Sequence, residues 1–391
     1  MNIIFFEDNR TAFLPLVYTK PIAKLRVGIL TIEEKWSKSF KETVNTSFIV
    51  EDYLKTKFPI IVEDINVFIN SRFFPNEKIV DFIVNNLNSN EAIYRNDVLI
   101  VAKCSKTEFD NKSFTIKDYN ENFNGLELKT VTDIFSKNGA AIEADFKLLT
   151  KDRVSQKLSG TNTLIGDNIF IEEGGKVEAS ILNSTEGPIY IGKDAEIMEG
   201  CIVRGPFALC DNGGLKMGAK VYGPTTVGKF SKVGGEVNNV VIQDYSNKGH
   251  DGFLGNSVIG EWCNLGADTN SSNLKNNYAE VRLWSYQTNI FEPTGLQFCG
   301  LIMGDHSKCG INTMFNTGTV VGVAANIFGS GFPRNFVASY SWGGASGFTT
   351  YRLEKCFEVA QKVMERRGID LLDEDKEILS AIFEQTESYR K

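Results

Sequence analysis

From about residue 160 the apolar positions along this chain recur every six residues. From Ile165 the register reads IGDNIF, IEEGGK, VEASIL, and from Ile191 IGKDAE, IMEGCI, VRGPFA. It resumes at Val221 (VYGPTT, VGKFSK, VGGEVN), at Phe253 (FLGNSV, IGEWCN, LGADTN) and at Met303 (MGDHSK, CGINTM, FNTGTV, VGVAAN). The first position is usually aliphatic and the second is often Gly. Each hexad is one short strand and a corner: the aliphatic residue points inward and a small residue allows the tight turn. Three such strands close a triangular coil, and coils stack at strand spacing, about 4.8 Å. A β-sandwich would alternate with period two instead.

Ahead of the repeat the texture differs. NIIFF (2–6), FPIIVEDINVFIN (58–70) and DVLIVAKC (97–104) predict strands, and NEKIVDFIVNNL (76–87) has helical spacing. Strands alternating with helices predict an α/β domain. The polar stretch 108–125 predicts an irregular link, and residues 130–149 a helical connector. Residues 273–302 break the hexad register, and so long an excursion is usually functional or packs on a neighbour. The tail, 351–367 and 373–391, predicts two amphipathic helices separated by GID. The expected domains are an α/β domain over 1–140, a connector over 141–160, the repeat over 161–349 with its insertion at 273–302, and helices over 350–391.

Composition narrows the function. The chain has 391 residues, 42 Lys plus Arg against 49 Asp plus Glu, and a net charge of −7. No Lys/Arg-rich run is present, which argues against a nucleic-acid partner. The opening MNIIFFEDNR is acidic within ten residues and does not read as a signal or transit peptide, and no apolar run reaches membrane-spanning length. The seven cysteines form no CxxC pair, as expected of reduced thiols in the cytoplasm rather than of a zinc ribbon.

There are two histidines. His306 falls at a hexad corner and is expected at a surface or interface. His250 lies in SNKGHDGFLGN, flanked by glycines that let bulky substrates approach the backbone. A base with a pKa near 7 suits removal of a proton from an attacking amine. A carboxylate could orient it, and backbone N–H groups or an Asn amide could stabilise an oxyanion.

The segment from EVNN (236–239) through GHDGFLGNSVIGEWCNLGADTNSSN (249–273) resembles the acetyltransferase half of the GlmU family, bifunctional enzymes of UDP-N-acetylglucosamine synthesis. The matching positions are His250, Leu254-Gly255, Ile259-Gly260 and Asn264-Leu265-Gly266-Ala267. The resemblance, with the hexapeptide repeat, implies a left-handed parallel β-helix, a homotrimer and acetyl-CoA as acetyl donor. It implies His250 as catalytic base, Glu236 as its acidic partner, and Asn264 and Asn273 as sugar contacts. Asn238 and Asn239 stand where the family has two lysines that hold the sugar phosphate, so Lys248, Lys220, Lys232 and Lys275 are candidates to replace them. Phe253 stands where the family has a sugar-site tyrosine. Ala324 and Ala325 resemble small residues beside the pantetheine, and Arg334 is a candidate for a CoA phosphate.

FLPLVYTKPIAKLRVGILTIEEKW (13–36) resembles the opening motif of sugar-phosphate nucleotidyltransferases, closest to a GlmU-like group with a shortened N-terminal domain. The glycine-rich phosphate loop of that family is replaced by EDNRTAF. Arg10, Lys20, Lys24 and Arg26 are the cations available to a nucleotide triphosphate, and Asp8 is the candidate ligand for Mg²⁺. The resemblance implies acetylation of glucosamine-1-phosphate, followed in the N-terminal domain by uridylyl transfer from UTP. Two other readings stay open. One is a UTP- or dTTP-dependent nucleotidyltransferase whose β-helix only trimerises and regulates it. The other is a non-enzymatic sugar-phosphate sensor or scaffold.

Overall fold

The structure, a computed structural model, describes residues 1–119 and 125–390. They divide into two compact units. The first comprises residues 1–10, 20–25 and 30–129, and the second 11–19, 26–29 and 130–391. The first unit therefore ends short of residue 140 and cedes two short segments to the second.

The first unit is built on a six-stranded mixed sheet. Asn2–Phe6, fully buried, pairs in parallel with Asn45–Phe48 on one side and Asn66–Asn70 on the other. Val98–Cys104 then runs antiparallel to Asn66–Asn70. The helix expected near 76–87 spans Glu77–Asn85, started by Asn76, whose side chain accepts from the Ile79 N–H at 2.9 Å. Of the strand expected over 58–70, only Asn66–Asn70 forms; Ile60, Ile61, Val62 and Ile65 are exposed. Apolar content alone signalled strand there, but no sheet edge receives the segment. The polar stretch 108–125 is also not wholly irregular. The end of helix Lys106–Asn111 and the strand Thr115–Ile116 fall in it, and residues 120–124 lie outside the described residues.

The second unit is the expected solenoid. Its parallel strands make about ten turns, so the fold class is an α/β region, a left-handed parallel β-helix and C-terminal helices. Ile171, Ile191, Val203, Val221, Val233, Leu265, Met303 and Val321 point inward and form one continuous core. Around residue 253 the inward residue is the neighbour of the hexad start: Leu254 is buried and Phe253 faces outward, while on the first coil Leu164 and Ile165 are both exposed. Each coil offers three faces. The first carries Lys220–Tyr222; the second carries Thr225–Val227; the third carries Lys232–Val233. Two long strands, Glu236–Ile242 and Phe253–Ile259, turn from the first face to the second.

The excursion at 273–302 contains an antiparallel hairpin, Arg282–Ser285 with Ile290–Pro293. The helical connector appears as Asp133–Ser136 and Asn138–Thr150. The tail forms helices Leu353–Glu365 and Asp373–Gln385, with a short turn Glu387–Arg390 after them.

Candidate active site

Corners joining the third face to the first set the geometry around His250. Four residues, 216–219, make one such corner, two residues, 234–235, the next, and four residues, 249–252, the one after. His250 is exposed on that last corner. Behind it the short corner is made by Gly234 and Gly235. A Cβ on Gly235, whose φ is +71°, would meet the Gly252 carbonyl oxygen at 2.7 Å, so only glycine fits this close approach.

Two sets of candidate residues flank the corner. On the first face Lys220, Glu236 and Phe253 occupy one register column on successive coils, about 4.8 Å apart per step. Asn270 continues beneath them and accepts from the Phe253 N–H at 2.8 Å. Asn273 joins this side through Asn256, its Nδ2 donating to the Asn256 Oδ1 at 2.8 Å. A Cβ on Gly255 would meet that Asn273 amide nitrogen at 2.5 Å, so the glycine makes room for it. On the third face Asn264 is exposed and pairs in register with Asn247. The structure thus brings Lys220, Glu236, Phe253 and Asn273 to one side of the His250 corner and Asn264 to the other. Among the described residues the His250 imidazole has no hydrogen bond, and the Glu236 carboxylate does not reach it. Catalytic hydrogen bonds often tighten only when substrate binds.

Lys248 corrects an expectation. It is 1% exposed, at an inward core position between Val233 and Leu265. Its Nζ donates to the Gly234 carbonyl at 2.9 Å and to the His250 carbonyl at 2.8 Å. A side chain turned into the core cannot clamp a sugar phosphate; it braces the corner that carries His250. Burial pushes its pKa down to about 8, against the opposing pull of Asp251 and Asp268.

The expected CoA residues separate. Ala325 belongs to the solenoid core and Ala324 is 1% exposed, so neither presents a side chain to a surface groove. Arg334 is exposed in the stretch between Asn326–Ile327 and Phe336–Val337. His306 is partly buried, its ring parallel to Trp262 at 6.3 Å in a stack that continues through Tyr245 to Phe230.

The N-terminal cations are committed to internal partners. Arg10 Nη1 donates to Glu7 at 2.7 Å and Nη2 to the Tyr53 hydroxyl at 3.3 Å. Lys24 pairs with Glu33 at 2.5 Å and lies over the Phe48 ring. Lys20 is buried. Arg26 belongs to the second unit and forks onto Asp244, Nε to Oδ1 at 2.9 Å and Nη2 to Oδ2 at 3.0 Å. Asp8 follows the strand Asn2–Phe6, but Arg72 holds both of its oxygens and Asn70 donates to one of them. No cluster of three potential metal ligands occurs among the described residues. The Asp8 carboxylate, already neutralised by Arg72, does not fit a Mg²⁺ site.

The solenoid thus carries an exposed histidine between two outward columns of polar residues. Comparison with known proteins finds relatives of the chain. Residues 3–154 match the family described as sugar nucleotidyl transferase. The bifunctional sugar-1-phosphate nucleotidylyltransferase/acetyltransferase of Sulfurisphaera tokodaii is 29% identical over 162 residues, 41% of this chain and 39% of that protein. The bifunctional protein GlmU of Methanocaldococcus jannaschii is 32% identical over 87 residues, 22% of this chain and 21% of that protein. The chain thus spans well under half the length of these relatives. Among solved structures, the Francisella novicida UDP-N-acetylglucosamine acyltransferase aligns at 10% identity and a TM-score of 0.34, over 59% of this chain and 92% of that one. The resemblance read from residues 13–36 and 236–273 is borne out: this chain is similar to the bifunctional nucleotidyltransferase/acetyltransferases, GlmU among them.

Proposed function

We propose that the β-helix transfers an acetyl group from acetyl-CoA to the amine of an amino-sugar-1-phosphate, glucosamine-1-phosphate in the first instance, in the cytoplasm. The observation that carries this reading is the placement of His250 on a braced corner between the Lys220–Glu236–Phe253 column and Asn264. The amine nitrogen attacks the thioester carbonyl while His250 takes the amine proton. The tetrahedral intermediate collapses by breaking the C–S bond, and the thiolate leaves and is protonated to CoA thiol. Glu236 orients the imidazolium once substrate closes the gap, Asn264 and Asn273 hold the sugar, and Arg334 meets a CoA phosphate.

A second reading, uridylyl transfer from UTP in the first unit, is supported by the family match over residues 3–154. The internal pairing of Arg10, Lys24 and Asp8 weighs against it. We propose a homotrimer as the working form. The protein is offered glucosamine-1-phosphate, acetyl-CoA and UTP, with free thiol and pyrophosphate followed separately. Thiol release alone supports acetyl transfer; pyrophosphate alone supports the second reading; neither supports a sensor or scaffold.

A further inference from the structure

The outward column of the third face runs Lys176, Glu196, Gly214, Lys232, Asn247, Asn264, Lys308, Asn326, Trp342. The helix Leu353–Glu365 returns along it. The Tyr351 ring stacks on Trp342 at 5.2 Å, Lys308 lowers the Cys356 thiol's burial-raised pKa, and Arg366 and Arg367 act on Lys232. Five strand spacings from Trp342 to Lys232 are about 24 Å, and the thirteen-residue helix Leu353–Glu365 covers about 20 Å of that length.

This helix ends among other cations. Lys216 is near Gly234, on the short corner directly after Lys232; its Cβ is 3.3 Å from where a Cβ of Gly234 would lie. Gly214, beside Lys232 in register, presents no side chain. The side chains of Lys216, Lys232, Arg366 and Arg367 take part in no ion pair or hydrogen bond among the described residues. Burial lowers the Lys232 pKa, and Lys216, Arg367 and Arg366 lower it further, with Glu196 opposing. Helix-end carbonyls favour the two arginines, but they do nothing for the two lysines. Cations that act on one another in this way, with no ion pair to a carboxylate among the described residues, are unfavourable unless an anion joins them.

We propose that Lys216, Lys232, Arg366 and Arg367 form a binding site for the phosphate group of a small-molecule substrate. Arginines supply bidentate contacts and the lysines point charges, the usual division of labour around a phosphate. The site is one coil away from the His250 corner, and it stands on charge and register whether or not His250 is a base.

The test is isothermal titration calorimetry of the full chain with inorganic pyrophosphate at low and raised salt. K216E/K232E and R366E/R367E are compared with K193E, which reverses an exposed lysine elsewhere on the solenoid. The expected result is salt-sensitive binding that each double variant weakens by about tenfold or more, with K193E like wild type and all melting curves cooperative. Displacement of pyrophosphate by glucosamine-1-phosphate assigns the site to the sugar; displacement by adenosine 3′,5′-bisphosphate assigns it to the acyl donor. Absence of pyrophosphate binding, wild-type affinity in both double variants, or displacement by neither compound overturns the proposal.

Discussion

The ammonium of Lys248 donates to the main-chain carbonyl of His250 at 2.8 Å, from inside the solenoid core. The same nitrogen holds the Gly234 carbonyl of the preceding corner at 2.9 Å. A neutral amine still has two N–H donors, so both bonds survive deprotonation. What changes with protonation is the cost of a buried charge.

That cost gives a pH prediction. The folded pKa of about 8 is below the ordinary lysine value, so between roughly pH 8 and 10.5 the unfolded chain binds the extra proton. Relative to Lys248→Met, the wild-type protein gains stability as pH rises through that window, by on the order of 3 kcal/mol. Denaturant unfolding of both proteins at pH 7.5 and 10.5 checks it; a constant difference would contradict it.

Gly255→Ala should damage substrate binding more than folding. The added methyl would lie 2.5 Å from the Asn273 amide nitrogen and 2.7 Å from the Phe253 ring, so both side chains must shift. Steady-state kinetics should show KM for the amino sugar raised about tenfold, with KM for acetyl-CoA little changed.

Arg26→Ala should destabilise the second unit by about 3–5 kcal/mol, because it leaves Asp244 without its forked partner and removes the donor to the Ile29 carbonyl. Thermal denaturation reads this directly. A residue that served a nucleotide phosphate instead would change nucleotide affinity and leave the melting temperature unmoved.

Much of this was legible in the sequence. The hexads announced the solenoid because inward aliphatic positions repeat with the coil, and Val221, Val233 and Leu265 fall where that register puts them. The column of Lys220, Glu236 and Phe253 was foreseen only as separate residues, because spacing along the chain does not say which face a residue occupies. Lys248 was misread, since a lysine next to a histidine suggests a ligand contact and nothing local tells of a buried Nζ. Arg26 was misread for a related reason: its partner, Asp244, lies more than two hundred residues away in sequence. Residues 58–65 failed as a strand because hydrophobicity without a pairing edge does not make one.

Asp8 adds an acid-side prediction. Burial works to raise its pKa, but hydrogen bonds from Arg72 and Asn70 outweigh it and hold the pKa below the ordinary carboxylate value. Its stabilising contribution is therefore present above the unfolded pKa and is lost as pH falls through the folded one. Asp8→Asn should flatten the acid limb of a thermal-stability profile below the ordinary aspartate pKa of about 4. An unchanged limb would show that the Arg72 pair contributes nothing.

The central claim rests on His250 as the base of an acetyl transfer. Its most direct measurement is free-thiol release from acetyl-CoA with glucosamine-1-phosphate, comparing wild type with His250→Ala after both are shown to melt alike. The account predicts a fall of about a hundredfold or more in kcat with the alanine variant. Undiminished thiol release from that variant would contradict it.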